Sequence, residues 1–149
     1  MTPQRDNLNS IFPIVALDPA VYAADNTPGA VDLLDYHAAT LLLNVGVGGI
    51  TFTSSNKIEF VLTHSDDGTT YVNVTDDDVI KDSYAPASIS NGIVRSLTAA
   101  HAAATIQKLG YIGGKRYLKL LADFSGTHGT GTPIAALVVR ARANIRGAT

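Results

Sequence analysis

The chain has no cysteine, no tryptophan, a single methionine and, in Glu59, a single glutamate. The missing cysteine excludes a disulfide framework, thiolate metal sites and a cysteine nucleophile at once. The missing tryptophan removes the ring most useful in a sugar-binding platform, leaving six tyrosines and four phenylalanines to serve core or interface packing. Charge is scarce too: 16% of residues are charged, against about 25% in an ordinary soluble domain. A surface short of charge suits contact with another protein; a β surface rich in Thr, Ser and Asn also needs few charges. The net charge of -2 gives no global field toward nucleic acid or an anionic membrane. No window approaches the roughly 18 apolar residues of a membrane span, and Asn44 breaks the run Leu41–Leu43. Met1–Ser10 lacks the apolar centre of a secretory signal, so the chain reads as made without export.

What remains is a chain of 149 residues, 46% of them hydrophobic, enough for one domain with a real core. Residues 1–13, polar and bracketed by Pro3 and Pro13, read as an extended N-terminal arm. Strand signals then follow closely. Ile14–Leu17 is closed by Asp18-Pro19, and Val21–Ala23 leads to the turn Asn26–Gly29. Ala30–Leu33 alternates, and the apolar run Thr40–Val45 predicts a strand buried on both faces. Lys57–His64 alternates most cleanly, with Ile58, Phe60 and Leu62 toward the core. Ser65–Gly68 predicts a hairpin into Tyr71–Val74. Residues 75–91 read as a long surface loop.

Gly92–Leu97 and Thr105–Ile112 read as strands, with the alanine-rich residues 98–104 as their connection, too short for a helix on its own. Gly113-Gly114 predicts a two-residue hairpin into Arg116–Phe124, whose Leu118, Leu120, Ala122 and Phe124 share one face. Pro133 opens the last strand, Ile134–Arg142, with Arg140 and Arg142 on one solvated face. About eight or nine short strands without a long helix predict an all-β fold: a jelly-roll-like β-sandwich or barrel over residues 14–149, behind the arm.

Chemistry is hard to find. His37, His64, His101 and His128 are far apart, and none has a partner at metal-ligand spacing. His64 and His128 each stand at a strand end, where two turn histidines can meet. Calcium prefers several carboxylates and carbonyls converging from loops; neither Asp66-Asp67-Gly68 nor Asp76–Asp78 has the 12-residue ligand pattern, and the first reads as turn chemistry. Glu59 has no evident partner for a glycosidase acid pair. No Gly-x-Ser-x-Gly elbow occurs. Ser125–Gly131 is glycine-rich but lacks the lysine and helix of a phosphate loop. The chain reads as no enzyme, with no catalytic residue, cofactor or metal.

Three segments carry a resemblance: Phe60–Tyr71, the turn Tyr111-Ile112-Gly113-Gly114-Lys115-Arg116-Tyr117, and Asp123-Phe124-Ser125-Gly126-Thr127 with the glycine-threonine run to Pro133. In these the chain resembles the small head decoration (cement) proteins of tailed phages and prophages. The alanine-rich residues 99–104 depart from that pattern. The resemblance implies a structural virion protein, made in the host bacterial cytoplasm and carried on the capsid exterior. It would bind the major capsid protein lattice as a homo-oligomer, commonly a trimer, with no nucleic acid or membrane partner. The contacts expected on this view are Arg5, Asn7, Leu8, Ile11 and Phe12 on the arm, Tyr84 on the long loop, and Thr127, His128 and Thr130 on the glycine-threonine loop. A carbohydrate- or receptor-binding jelly roll (a head-fibre base or tail-associated module) is the second reading, with exposed tyrosines and a loop calcium. A head-tail connector or tail protein is the third.

Overall fold

Ile58, Phe60, Leu62 and His64 lie buried along one face of the strand Lys57–Ser65, so the alternation written there is obeyed. In the computed structural model, which describes residues 7–143, ten strands form around it. They are β1 (Ile11–Tyr22), β2 (Val31–Asp32), β3 (Tyr36–Val45), β4 (Lys57–Ser65), β5 (Val72–Asn73), β6 (Val79–Ile80), β7 (Ile93–Leu97), β8 (Thr105–Tyr111), β9 (Tyr117–Ser125) and β10 (Thr132–Ala143). One 3-10 turn, Asp76–Asp78, precedes β6, and no α-helix occurs among the described residues.

The strands make two antiparallel five-stranded sheets. The first runs β1-β10-β3-β8-β6; the second runs β2-β9-β4-β5, with β7 also paired to β4. β5 and β7 share one edge of β4, at Thr63–His64 and Ile58–Val61 respectively. The core lies between the sheets. Leu17, Leu41, Leu43, Leu109, Ile134 and Val138 from the first meet Ile58, Phe60, Leu62, Leu118, Leu120 and Ala122 from the second. A sandwich of this kind is what alternating strands of this length build when each has one apolar face to hide.

Several expectations change. β1 begins at Ile11 rather than Ile14, because Ile11, Phe12 and Pro13 pair with Ala141, Arg140 and Val139. The end of the expected arm is therefore sheet, and β1 passes through Asp18-Pro19 with register shifts instead of stopping there. β3 is not buried on both faces: Leu41, Leu43 and Val45 are buried, whereas Thr40 and Leu42 are half-buried and Asn44 is exposed. The long loop is partly structured, since β6 pairs with β8, Asn91 and Gly92 turn the chain with positive φ angles of 53° and 74°, and Ile89 is buried.

The largest correction concerns Gly113-Gly114. β8 pairs with β3 and β6, while β9 pairs with β4 and β2, so the glycines link the two sheets and close no hairpin. Gly114 does adopt the positive φ expected of it, 73°. A tight turn reverses the chain equally well whether the next strand joins the same sheet or folds over to the opposite one. The hairpin β4–β5 forms as expected.

One sheet edge, that of β9, is covered by side chains. Asn26 donates to the Leu120 carbonyl and accepts from the Ala122 N–H at 3.1 and 2.7 Å, and Asp25 accepts from the Phe124 N–H at 2.8 Å. These extend the short β2 along the rest of β9 and blunt an edge that would otherwise pair with another chain.

Candidate functional site

The residues expected at an interface fall into three places. Asn7, Leu8, Ile11 and Phe12 lie at the end of the sandwich where β1 begins; Arg5 lies outside the described residues. Thr127 and Thr130 are exposed at the opposite end, in the loop between β9 and β10. Tyr84 sits between, in the loop before β7. The fold does not bring these groups together.

The first end is built around Asp32, the last residue of β2. Arg116 donates to it through two nitrogens, at 2.9 and 2.7 Å, a fork geometry that suits guanidinium and carboxylate. The Leu34 N–H donates to the same carboxylate at 2.9 Å, and the Arg116 hydrogen bonds, more than the Leu34 one, hold its pKa below the usual value. Arg140 donates to the carbonyls of Phe12 and Asp32 and lies 4.5 Å over the Tyr36 ring. Phe12 packs on the same ring at 5.2 Å. Arg140 thus closes the end of the core, and Arg142, at a φ of 53°, breaks the strand's alternation, so the two arginines form no common solvated face. Beside this cluster opens a cleft of about 450 Å³ lined by Asp35, Tyr36, His37, Asp66, Lys115 and Arg116, among others. Lys115 is paired with Asp66 at 2.6 Å. Asp35 takes a positive φ of 69° at its rim.

Just inside the cleft, Tyr111 accepts a hydrogen bond from the Lys115 N–H at 3.0 Å and lies 2.9 Å from Nδ1 of buried His64. Burial pushes the Tyr111 hydroxyl up to about 12 and lowers the His64 pKa. Both groups therefore stay neutral near pH 7, with Tyr111 donating to an unprotonated Nδ1. Such a pair ties β4 to β8 across the sandwich; it offers neither a free base nor a nucleophile.

At the other end His128 is only 3% exposed and so is no contact residue. Its ring packs edge-on against Phe124 at 4.7 Å, near Phe52, and its Nε2 lies 2.8 Å from the Ser125 carbonyl. His101 stacks on Phe52 at 5.8 Å. The pair the strand ends suggested does not form: His64 meets Tyr111 beside Leu118, at one end of β9, and His128 folds back on Ser125 at the other. Sequence spacing shows that both are at strand ends but carries no information on which ends adjoin.

Tyr84 is 44% exposed, and its ring covers the Arg95 guanidinium at 4.6 Å. Arg95 is itself buried, points inward opposite Phe60, and donates to the Thr105 hydroxyl; burial lowers its pKa. Nothing in the Val94-Arg95-Ser96 pattern marks this residue as buried, and it was missed by the sequence reading. Cation–π cover by Tyr84 is its main compensation.

Four of the five carboxylates in the acidic runs are occupied by their own chain, Asp77 being the exception. Asp67 accepts from the N–H groups of Thr69 and Thr70 and from the Ser65 hydroxyl, which lower its pKa. Asp76 binds Lys81, Ser88 and the Ile89 N–H, and Asp78 closes the turn onto Thr75. No group of three or more His, Asp or Glu suited to a metal occurs among the described residues. No helix among them is long and apolar enough to cross a membrane. No family model, curated protein or solved structure matches the chain.

Proposed function

We propose that the chain is a non-catalytic virion protein that decorates and stabilises the assembled capsid of a tailed phage by binding the major capsid protein lattice on its exterior. The structural observation that fits this reading is the winding of the strands. Setting aside the short strands β5 and β6 but keeping the equally short β2, β1-β10-β3-β8 faces β2-β9-β4-β7. Successive strands thus alternate between the sheets for the first half of the chain, and the second half retraces that path. This order supports the jelly roll, an architecture used by viral capsid proteins and also by lectins and cupins. Fold alone does not choose among these; the resemblance of Tyr111–Tyr117 and of the Asp123–Thr127 loop favours the virion protein. Asp66, Asp67, Asp76 and Asp78 and the His64–Tyr111 pair are engaged in holding the fold, which fits a role in contact rather than in reaction.

A ligand that binds only the assembled lattice shifts the equilibrium away from disassembly, and many copies on one lattice multiply weak contacts. The test is co-sedimentation of the purified protein with assembled capsids, combined with the melting of the shells. Pelleting with shells and a raised shell melting temperature are expected. A protein that ignores shells and binds glycans instead would move the assignment to the receptor-binding class.

A further inference from the structure

We infer that the outer face of the β1-β10-β3-β8-β6 sheet is a self-association surface, covered in solution by a second copy of this chain. The face can be read row by row from the strand register. Val15, Leu137, Leu42 and Lys108 form one row; Pro13, Val139, Thr40, Gly110 and Ile80 form the next. Ile11, Ala141 and Ala38 flank them on one side, and Ala135, Asn44 and Ile106 on the other. Val15, Ile106 and Ile80 are 55%, 58% and 62% exposed. Lys108 is the one charged side chain in those four rows. Below Ala135 the face runs into a shallow depression of about 430 Å³ lined chiefly by Pro19, Val21, Ala104 and Pro133.

An antiparallel sheet with one face on the core ordinarily turns polar residues outward. Here all five strands put apolar side chains on both faces. The extent is also that of an interface. The fifteen residues in these rows, spaced about 4.8 Å across and about 6.7 Å along the strands, cover roughly 480 Å². Two such faces together remove roughly 1,000 Å², the size expected of a specific association.

Charge selects the occupant. The four ion pairs among the described residues, Lys57–Glu59, Lys81–Asp76, Lys115–Asp66 and Arg116–Asp32, all lie outside these rows. A surface with almost no charge has nothing with which to recognise a charged partner, whereas a copy of itself is complementary in polarity and always present at equal concentration. Face against face about a two-fold axis gives a dimer. This inference stands independently of shell binding, because it concerns the protein without capsids.

Because the chain has no cysteine, single thiols report on each face. Thr40→Cys lies in the middle of the apolar face, and Thr63→Cys lies on the outer face of the other sheet, in the row with Lys119 and Asn73. Light scattering of the full chain should give a dimer. Maleimide should label Thr40→Cys at least tenfold more slowly than Thr63→Cys, with the difference vanishing on dilution to monomer. Leu137→Lys should yield a folded monomer by circular dichroism and light scattering. Equal labelling rates, a monomeric wild type, or an oligomer that survives both Leu137→Lys and Val15→Lys would overturn the inference. A monomer whose Leu137→Lys variant loses only shell binding would overturn it too, by giving the face to the capsid protein.

Discussion

The two sheets share one core but present opposite outer faces. On the second sheet the rows read Glu59, Asp123 and Ser96; Val61, Leu121 and Ile93; and Thr63, Lys119 and Asn73. Two of these three rows are polar, and the Lys119 ammonium lies 4.2 Å over the Tyr71 ring. On the first sheet only Lys108, Thr40 and Asn44 interrupt an apolar field. Both sheets alternate inward with equal regularity, so the difference is not about folding the monomer. It separates a face finished for water from one finished for contact.

The comparison collapses most completely if the shared core fails. Phe60 is fully buried at the centre of β4, and Phe60→Ala should destabilise by about 3–5 kcal/mol, measured by urea unfolding, exposing both faces together. A backbone lesion comes next. Gly131 has a φ of 79°, and a Cβ there would stand 2.6 Å from the Tyr22 carbonyl. Gly131→Ala should therefore cost roughly 1–3 kcal/mol and loosen the junction of β1 and β10, the edge of the apolar face, as hydrogen exchange would register.

A pH titration probes the tie between the sheets. Burial lowers the His64 pKa in the folded protein below its ordinary value of 6.5. The unfolded chain therefore takes up a proton that the folded chain refuses. Stability should be full above pH 6.5 and decline as the pH falls toward the depressed folded value. The charged neighbours of this imidazole are Asp78, Asp66 and Lys115. His64→Gln should lower stability and flatten that acid limb, both read from thermal melts across pH; an unchanged slope would show that His64 does not set it.

The smallest effects sharpen the contrast itself. Leu121→Lys on the polar face should alter monomer stability by no more than about 0.5 kcal/mol and leave the oligomer intact. Leu137→Lys should be as mild for the monomer, yet abolish association. If both were equally silent in solution mass, the two faces would be equivalent.

Much of this fold is legible in the residues. The alternation in 57–64 and 117–124, the Ser65–Gly68 turn and the absence of a helix-length pattern each correspond to an element, because period and turn chemistry are local properties. The surroundings of the expected contact residues are less legible. His128 sits in a loop of glycines and threonines that suggests exposure, yet Phe124 and Phe52 enclose it. Tyr84 was singled out, but its partner Arg95 was not, since a buried cation leaves no mark in a five-residue strand.

Sequence by itself determined that this chain makes short strands with one apolar face, one core and no thiol chemistry. It fixed where the chain turns, because glycine and aspartate tolerate the required backbone angles. Tertiary structure alone decided which sheet each strand joins: Gly113-Gly114 reverses the chain in either case, and the crossing follows only from β8 finding β3 while β9 finds β4. It also decided that Thr40–Val45, apolar nearly throughout, is covered on one side and open on the other. The physical reason is common to both. Periodicity states which side chains share a face, but what covers that face depends on residues distant in the chain or on another copy of it.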